Sequence, residues 1–153
     1  MLLLCAFLVG LVAGLRSMLA PAVVSWAARL NLLNVGETYV ALMSYRVTAL
    51  VFTILAAGEL VADKLPKTPS RKQPPSFVIR ILSGSLVGAT VGASGGKLLI
   101  GLCLGAIGAV VGTLGGAAVR AKLASAFGRD WPAAILEDIA ALAIAIIPIL
   151  RLR

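Results

Sequence analysis

Long apolar runs decide what this chain can fold into, and the clearest runs from Leu98 to Ala118 without a charged residue. A helix needs about 20 predominantly apolar residues to cross the hydrocarbon core of a bilayer. The 153-residue chain is 60% hydrophobic and 13% charged, with a mean hydropathy of +1.04. Soluble domains average about 45–50% apolar and about 25% charged residues. The sequence therefore predicts an all-α, polytopic membrane protein.

Five apolar segments, A to E, divide the chain, and they cover residues 2–30, 47–65, 77–93, 98–118 and 133–150. They predict one transmembrane helical bundle over residues 1–153, with about five membrane segments and no separate soluble domain. Segment A is interrupted by Arg16 and Pro21. Because proline removes a backbone hydrogen bond, segment A is expected to be kinked, with a re-entrant course as the alternative.

Basic residues predict the orientation of the bundle. The loop over residues 64–80, between segments B and C, is rich in proline, lysine and arginine. Five crossings place the N-terminus on the side of this loop, which then carries more Lys and Arg than the opposite side. Since cytoplasmic loops have this excess, the N-terminus is expected in the cytoplasm. A re-entrant segment A would overturn that count.

The net charge of +8 fits this membrane topology better than nucleic-acid binding, because the basic residues lie in short loops. Cys5 and Cys103 lie in apolar runs without paired spacing, so they predict neither a disulfide nor a metal site. The chain has no histidine and no familiar hydrolase or phosphate-binding motif, which makes an enzyme the less favoured class. No cofactor is predicted.

Acidic residues in the apolar segments indicate a site. Glu59 and Asp63 are four residues apart, so they share a helix face. A carboxylate at bilayer depth costs about 2.5–3.5 kcal/mol and usually faces a protein interior or a cavity. Segment B ends, and segment E begins, on the side of the basic loop, so Glu137 and Asp138 are expected at the depth of Glu59.

Arg16 is the one strong cation deep inside segment A. Pairing with an acid of segment B or E would lower its burial cost. Glu137 and Asp138 are adjacent, so their side chains point about 100° apart. One of them is expected to cap the start of the helix or to pair with Arg120 or Arg129. Such a network could hold a substrate, or it could hold only the bundle.

Glycines of segment D predict close helix packing. Gly101, Gly105 and Gly108 are spaced four and three residues apart, which leaves one helix face almost bare and suited to another helix or a second copy of the chain. A narrow pore lined by backbone is the alternative. Gly10 and Gly14 of segment A can be aligned with the later glycines, which suggests an inverted repeat of segments A and B with D and E.

The stretch Gly14-Leu15-Arg16-Ser17, the longer one from Glu59 to Arg71, and Glu137-Asp138-Ile139-Ala140 together resemble a bacterial family of small membrane proteins known as domain of unknown function 4126. The resemblance covers nearly the whole chain. It implies an integral membrane protein of the bacterial inner membrane, in which Glu59, Asp63, Lys64 and Glu137 match positions of unassigned role.

Two function classes follow from these features. The first is a small transporter or channel-like conduit for a cation or a proton-coupled solute, with a polar site formed by Arg16, Glu59, Asp63, Glu137 and Asp138. The second is a protein that binds or organises anionic lipid through Lys64, Lys67, Arg71 and Lys72, as basic clusters near a bilayer do. A lipid-phosphate enzyme with a divalent metal is a weaker third class.

Overall fold

The computed structural model describes residues 1–36, 38–62, 73–128 and 130–152. These residues form helices and no strand, which confirms the all-α prediction for this part of the chain. The helices are α1 (Leu2–Leu15), α2 (Leu19–Arg29), a 3₁₀ turn (Ala41–Ser44), α3 (Arg46–Ala62), α4 (Pro74–Ala93), α5 (Leu98–Phe127) and α6 (Asp130–Leu150).

Three of the described helices are long and apolar enough to cross a membrane, and they are α4, α5 and the part of α6 that begins at Trp131. Helix α1 is apolar but shorter. Large apolar side chains also cover the outer surface, and Ile54, Leu82, Leu99 and Ile147 are each about half exposed or more. An apolar outer surface of this extent is typical of a protein that contacts lipid. The structure therefore supports a membrane protein, although it does not reproduce five crossings.

Local sequence explains where several helices begin and end. Pro74 and Pro75 begin α4, where a missing N–H costs nothing and the fixed φ favours the helix. Helix α5 extends past the predicted end at residue 118 and stops at Gly128, whose φ of 65° is the left-handed conformation that glycine adopts after a helix. Pro21, the expected kink, is the third residue of α2, so it lies at a helix start.

Glycines join α1, α4 and α5 at backbone distance. A Cβ added to Gly105 would overlap the carbonyl oxygen of Gly84 on α4, and one added to Gly10 on α1 would overlap Gly105. Gly88 and Gly101 approach each other in the same way. Small residues allow this approach, in which packing replaces the weak hydrophobic driving force between helices in lipid. The prediction that the glycine face of segment D packs tightly is confirmed, with α4 and α1 as its partners.

Helices α1 and α5 run parallel. Gly108 meets Phe7, and Gly112 meets Leu11, so residue numbers rise together along the contact. An inverted repeat of segments A and D would make the two helices antiparallel. Segment A is also broken into α1 and α2, whereas α5 is continuous. The inverted repeat is therefore not borne out.

Segment A enters the bundle and turns back, which corrects its interpretation as one kinked crossing. We call the two ends of the bundle the Gly95 end, where Leu2 packs on Gly95, and the Pro74 end, where α4 begins. Helix α1 runs from the Gly95 end and stops after Leu15, where Arg80 of α4 binds its last carbonyls. Its 14 residues span about 21 Å, less than the ~30 Å hydrocarbon core.

Helix α2 then returns towards the Gly95 end. Pro21 lies beside Leu86 of α4, which is nearer to that end than Arg80. Helix α3 runs antiparallel to α2, because Trp26 meets Thr53 while the start of α2 meets Glu59 at the other end of α3. Helices α1 and α2 therefore form a re-entrant hairpin.

The hairpin changes the predicted position of the N-terminus. Because segment A does not cross the bundle, the N-terminus lies at the Gly95 end, opposite the end at which α3 stops and α4 begins. The five-crossing layout placed it on the side of the basic loop, since that layout counted segment A as a crossing. Residues 63–72, which join α3 to α4, lie outside the described residues.

Side-specific labelling checks this arrangement. A reporter fused before Met1 and a cysteine at Lys97 should be accessible from one face of the membrane, and a cysteine at Gln73 from the other. Cysteines are added in a variant with Cys5 and Cys103 replaced by alanine and are reacted with an impermeant maleimide. Accessibility of the N-terminal reporter from the face that labels Gln73→Cys would reject the re-entrant hairpin.

A matched pair of glycine variants tests the packing of α5. Gly105→Ala should lower stability by about 1–3 kcal/mol or more, because the new methyl overlaps backbone that cannot shift cheaply. Gly115 has no atom within 4 Å of an added Cβ, so Gly115→Ala should change stability by no more than about 1 kcal/mol, in the stabilising direction. Thermal unfolding in detergent, followed by tryptophan fluorescence, provides the measurement. Equal effects of the two variants would contradict the packing.

Candidate functional site at the helix break

The site is built around residues 16–18, which we call the α1–α2 break. The last carbonyls of α1 and the first N–H groups of α2 have no partners within their own helices. In an apolar bundle without bulk water, each unsatisfied backbone group costs several kcal/mol. Two other helices supply the missing partners as charged side chains.

Glu59 of α3 binds the start of α2. Its Oε1 accepts hydrogen bonds from the backbone N–H and the hydroxyl of Ser17, both at 2.8 Å. Its Oε2 accepts one from the N–H of Met18, also at 2.8 Å. A negative charge is favourable at the N-terminus of a helix, where the helix dipole is positive. Glu59 therefore accepts hydrogen bonds from two backbone N–H groups before α2 and places a negative charge at the positive end of that helix.

Arg80 of α4 binds the end of α1. Its Nη1 donates to the carbonyl oxygens of Gly14 and Leu15, each at 2.9 Å, and the side chain is about 5% exposed. A cation is favourable at a helix C-terminus. The Nη2 of Arg80 also lies 3.6 Å from Oε1 of Glu59, so one ion pair links the two ends of the break.

Hydroxyl groups from α4 and α5 also bind carbonyl oxygens at the break. Ser83 of α4 donates to the carbonyl oxygen of Ser17 at 2.5 Å. Thr113 of α5 lies within hydrogen-bonding distance of the carbonyl oxygen of Gly14, at 3.2 Å, and of its own helix at Ala109, at 2.8 Å. The break is therefore contacted by α3, α4 and α5.

Arg16 connects the break to α6. Its side chain is fully buried, and Nη2 lies 2.5 Å from Oδ1 of Asp138. The prediction that Arg16 pairs with an acid of segment B or E is confirmed. Arg120 lies 3.5 Å from Glu137, which confirms that one of the two adjacent acids pairs with Arg120. Each of the two acids thus has a different arginine.

The predicted site residues come together in part. Glu59 contacts the break at Ser17 and Met18, and Asp138 contacts it at Arg16. Glu137 lies beside Gly116, which packs on Leu15. The acids of segments B and E therefore reach the same part of the bundle. The remaining predicted residues lie outside the described part of the chain, and they are Asp63, Lys64, Lys67, Arg71 and Lys72.

Arg80 is the principal residue that sequence reasoning missed, because it was counted with the basic loop. One signal was available: Arg80 lies three and four residues before Ser83 and Gly84, on the helix face that carries the glycines. An arginine on a glycine face is buried against a neighbouring backbone. Ser17, Ser83 and Thr113 were also not predicted as site residues.

In the described part of the chain, three cavities that are partly open to the outer surface lie near the network. One of about 500 Å³ lies between α2, α3 and α6, and one of about 220 Å³ lies between α2, α3 and α4. A third, of about 530 Å³, is lined by α1, α5 and α6 and includes Arg120 and Glu137. Within the described ranges, no group of three or more His, Cys, Asp or Glu side chains is placed to hold a metal ion.

An apolar outer surface, spanning-length helices, a re-entrant hairpin and buried ion pairs define a polytopic helical membrane protein. The chain belongs to the family described as domain of unknown function (DUF4126), whose model matches residues 3–150. This confirms the resemblance found in the sequence. The comparisons with curated proteins and with solved structures found no match.

A double-mutant cycle tests the pair between Arg16 and Asp138. Arg16→Met and Asp138→Leu are the single changes, and Asp138→Leu should lower stability by about 3–5 kcal/mol, because it removes the carboxylate that faces a buried guanidinium. Arg16→Met combined with Asp138→Leu should lose less than either single change, since no buried charge remains. Thermal unfolding measures each variant.

The exposed Arg29 provides the matched control for this cycle. Arg29→Met should change stability by less than about 0.5 kcal/mol. Strict additivity of the Arg16 and Asp138 variants would contradict a coupled pair.

Proposed function

We propose that this protein is a small transporter for a cation or a proton-coupled solute and that the solute binds at the α1–α2 break. The observation that carries this proposal is the break itself, at which both helix ends are bound by charged side chains from other helices. Transporters commonly place their ion and substrate sites at discontinuous helices, where half-helix ends face the solute. The re-entrant hairpin has this arrangement.

The chemistry of the break favours a small cation. Three oxygen atoms contact the Arg80 guanidinium, namely the carbonyl oxygens of Gly14 and Leu15 and Oε1 of Glu59. The hydroxyl of Thr113 lies 3.2 Å from the Gly14 carbonyl oxygen. Oxygen ligands suit hard cations. A cation that displaced the guanidinium would inherit a negative helix end and a carboxylate. A proton on Glu59 would weaken the same ion pair.

The charge pattern supports an orientation with the Pro74 end in the cytoplasm. The sequence that joins α3 to α4 carries Lys64, Lys67, Arg71 and Lys72, which we propose as contacts for anionic headgroups. Arg120 and Lys122 lie on the part of α5 that runs towards the same end. By the positive-inside rule, the N-terminus then faces away from the cytoplasm in a bacterial inner membrane.

Lipid binding without transport is the second candidate, and one observation favours it. The cavity of about 530 Å³ between α1, α5 and α6 is almost entirely apolar apart from Arg120 and Glu137. Its size lies within the range of small-molecule sites, about 300–1,000 Å³. A phospholipid would place an acyl chain in this cavity and its headgroup near Arg120. Association of two copies through glycine faces stays a prediction.

Flux through proteoliposomes tests the transport proposal. Proton flux is followed with an internal pH dye, and sodium flux with a sodium-sensitive dye, under an imposed potential. Glu59→Gln should reduce the flux by about tenfold or more, since it removes the charge that binds both Arg80 and the helix end. Arg29→Gln, at an exposed position, is the matched control and should leave flux unchanged.

The outcomes separate the two candidates. Flux in wild type that persists in folded Glu59→Gln would remove Glu59 from the mechanism. An absence of proton and sodium flux, together with a co-purified phospholipid that is lost in Arg120→Gln, would favour lipid binding.

A further inference from the structure

Helix α3 is the least embedded of the helices around the break. It packs on α2 and on the 3₁₀ turn, and only Ala49 and Ala56 among its described residues are buried. Large apolar side chains such as Val47, Ile54 and Val61 point outwards. The two buried residues of α3 are small alanines. A movement of α3 would therefore disrupt little apolar packing.

Space lies on both flanks of α3. The cavity of about 500 Å³ separates its Thr53–Leu60 face from the end of α6. The cavity of about 220 Å³ lies on the side of α4, where Phe52 faces Ile79 and Leu86. Small displacements of α3 in either direction would therefore meet a cavity before they meet closely packed backbone.

The two ends of α3 are held differently. At the Gly95 end, the 3₁₀ turn that precedes α3 is anchored by Met43, which is fully buried and whose sulfur lies 3.6 Å from the hydroxyl of Ser25. At the Pro74 end, α3 is held by the polar contacts of Glu59 with Ser17, Met18 and Arg80. One end is anchored by packing, and the other by a carboxylate that can take up a proton.

We propose that α3 is a gate that pivots near Met43 and that proton binding to Glu59 releases its other end. The ionised carboxylate accepts three hydrogen bonds and faces the guanidinium of Arg80. A proton from the aqueous phase adds to one carboxylate oxygen, which removes the negative charge and turns that oxygen into a donor. The ion pair and at least one hydrogen bond to the break are lost, so Glu59 no longer fixes this part of α3 to the break, and α3 moves towards a flanking cavity.

The charges around Glu59 make this release selective for α3. Arg80 of α4 faces it directly, and it keeps its bonds to the carbonyl oxygens of Gly14 and Leu15 when Glu59 is neutral. Arg16 points to Asp138 on α6. The charged residue of α2 is Arg29, at its opposite end, and the 3₁₀ turn contributes none. The hairpin therefore stays in place while α3 moves.

The gate extends the proposed function, because a transported solute has to reach the break. This inference therefore rests on the proposed function. The movement of α3 can nevertheless be measured without any flux. Movement of α3 without flux would reject transport and retain the gate, whereas flux with a fixed α3 would reject the gate alone.

Distances between spin labels test the proposal. Cysteines at Val61 and Leu82, which are both exposed, report on the Glu59 end of α3 relative to α4, in a variant with Cys5 and Cys103 replaced by alanine. As the pH is lowered, the Val61–Leu82 distance should gain a longer population. A Val47–Leu82 pair, near the anchored end, should stay unchanged.

Two variants decide the role of Glu59 in this movement. Glu59→Gln should show the longer distance at every pH, and Ser17→Ala, which keeps the charge and loses one hydrogen bond, should show a smaller increase. If Glu59→Gln does not fold, an increase in Ser17→Ala supports the proposal and an unchanged distance overturns it. A wild-type distance in folded Glu59→Gln, or an acid-induced change that persists there, would also overturn it.

Discussion

The rest of the structure depends on the hydrogen bonding of a broken helix inside an apolar bundle. A continuous helix satisfies its own backbone, whereas a break leaves donors and acceptors that lipid and apolar side chains cannot satisfy. Glu59 and Arg80 supply opposite charges to the two ends, each matching the sign of the helix dipole that it meets. Because these residues come from α3 and α4, the break fixes where both helices must lie.

Glycine packing makes this bonding geometrically feasible. Arg80 reaches the last carbonyls of α1 because α1, α4 and α5 approach at backbone distance through Gly10, Gly84 and Gly105. Side chains at these positions would push α4 away and leave the guanidinium short of Gly14 and Leu15. The glycine face and the arginine are therefore parts of one arrangement, in which close packing brings a charge to a helix end.

The sequence predicts the helices and two of the ion pairs, but it does not decide the course of the chain. The free-energy cost of burying an unpaired charge predicted that Arg16 pairs with an acid of segment B or E, and its partner is Asp138. The hairpin was only the alternative to a kinked crossing, because α1 and α2 together have the length of one crossing and hydropathy does not show in which direction a helix runs. Arg80 was missed because it was counted with the basic loop. Its place on the glycine face of α4 indicates burial, but the sequence does not show that it binds backbone carbonyls 65 and 66 residues away.

Stability alone does not account for this network. Replacing a buried ion pair by well-packed apolar residues is often neutral or stabilising, and a continuous first helix would need neither Glu59 nor Arg80. In the described residues Glu59, Glu137 and Asp138 are partly buried and each has an arginine partner, so the charges of the network balance, and adding one proton or one cation would change that balance. A broken helix held by charged side chains from two other helices, next to a loosely packed α3, is the arrangement on which the proposed transport rests.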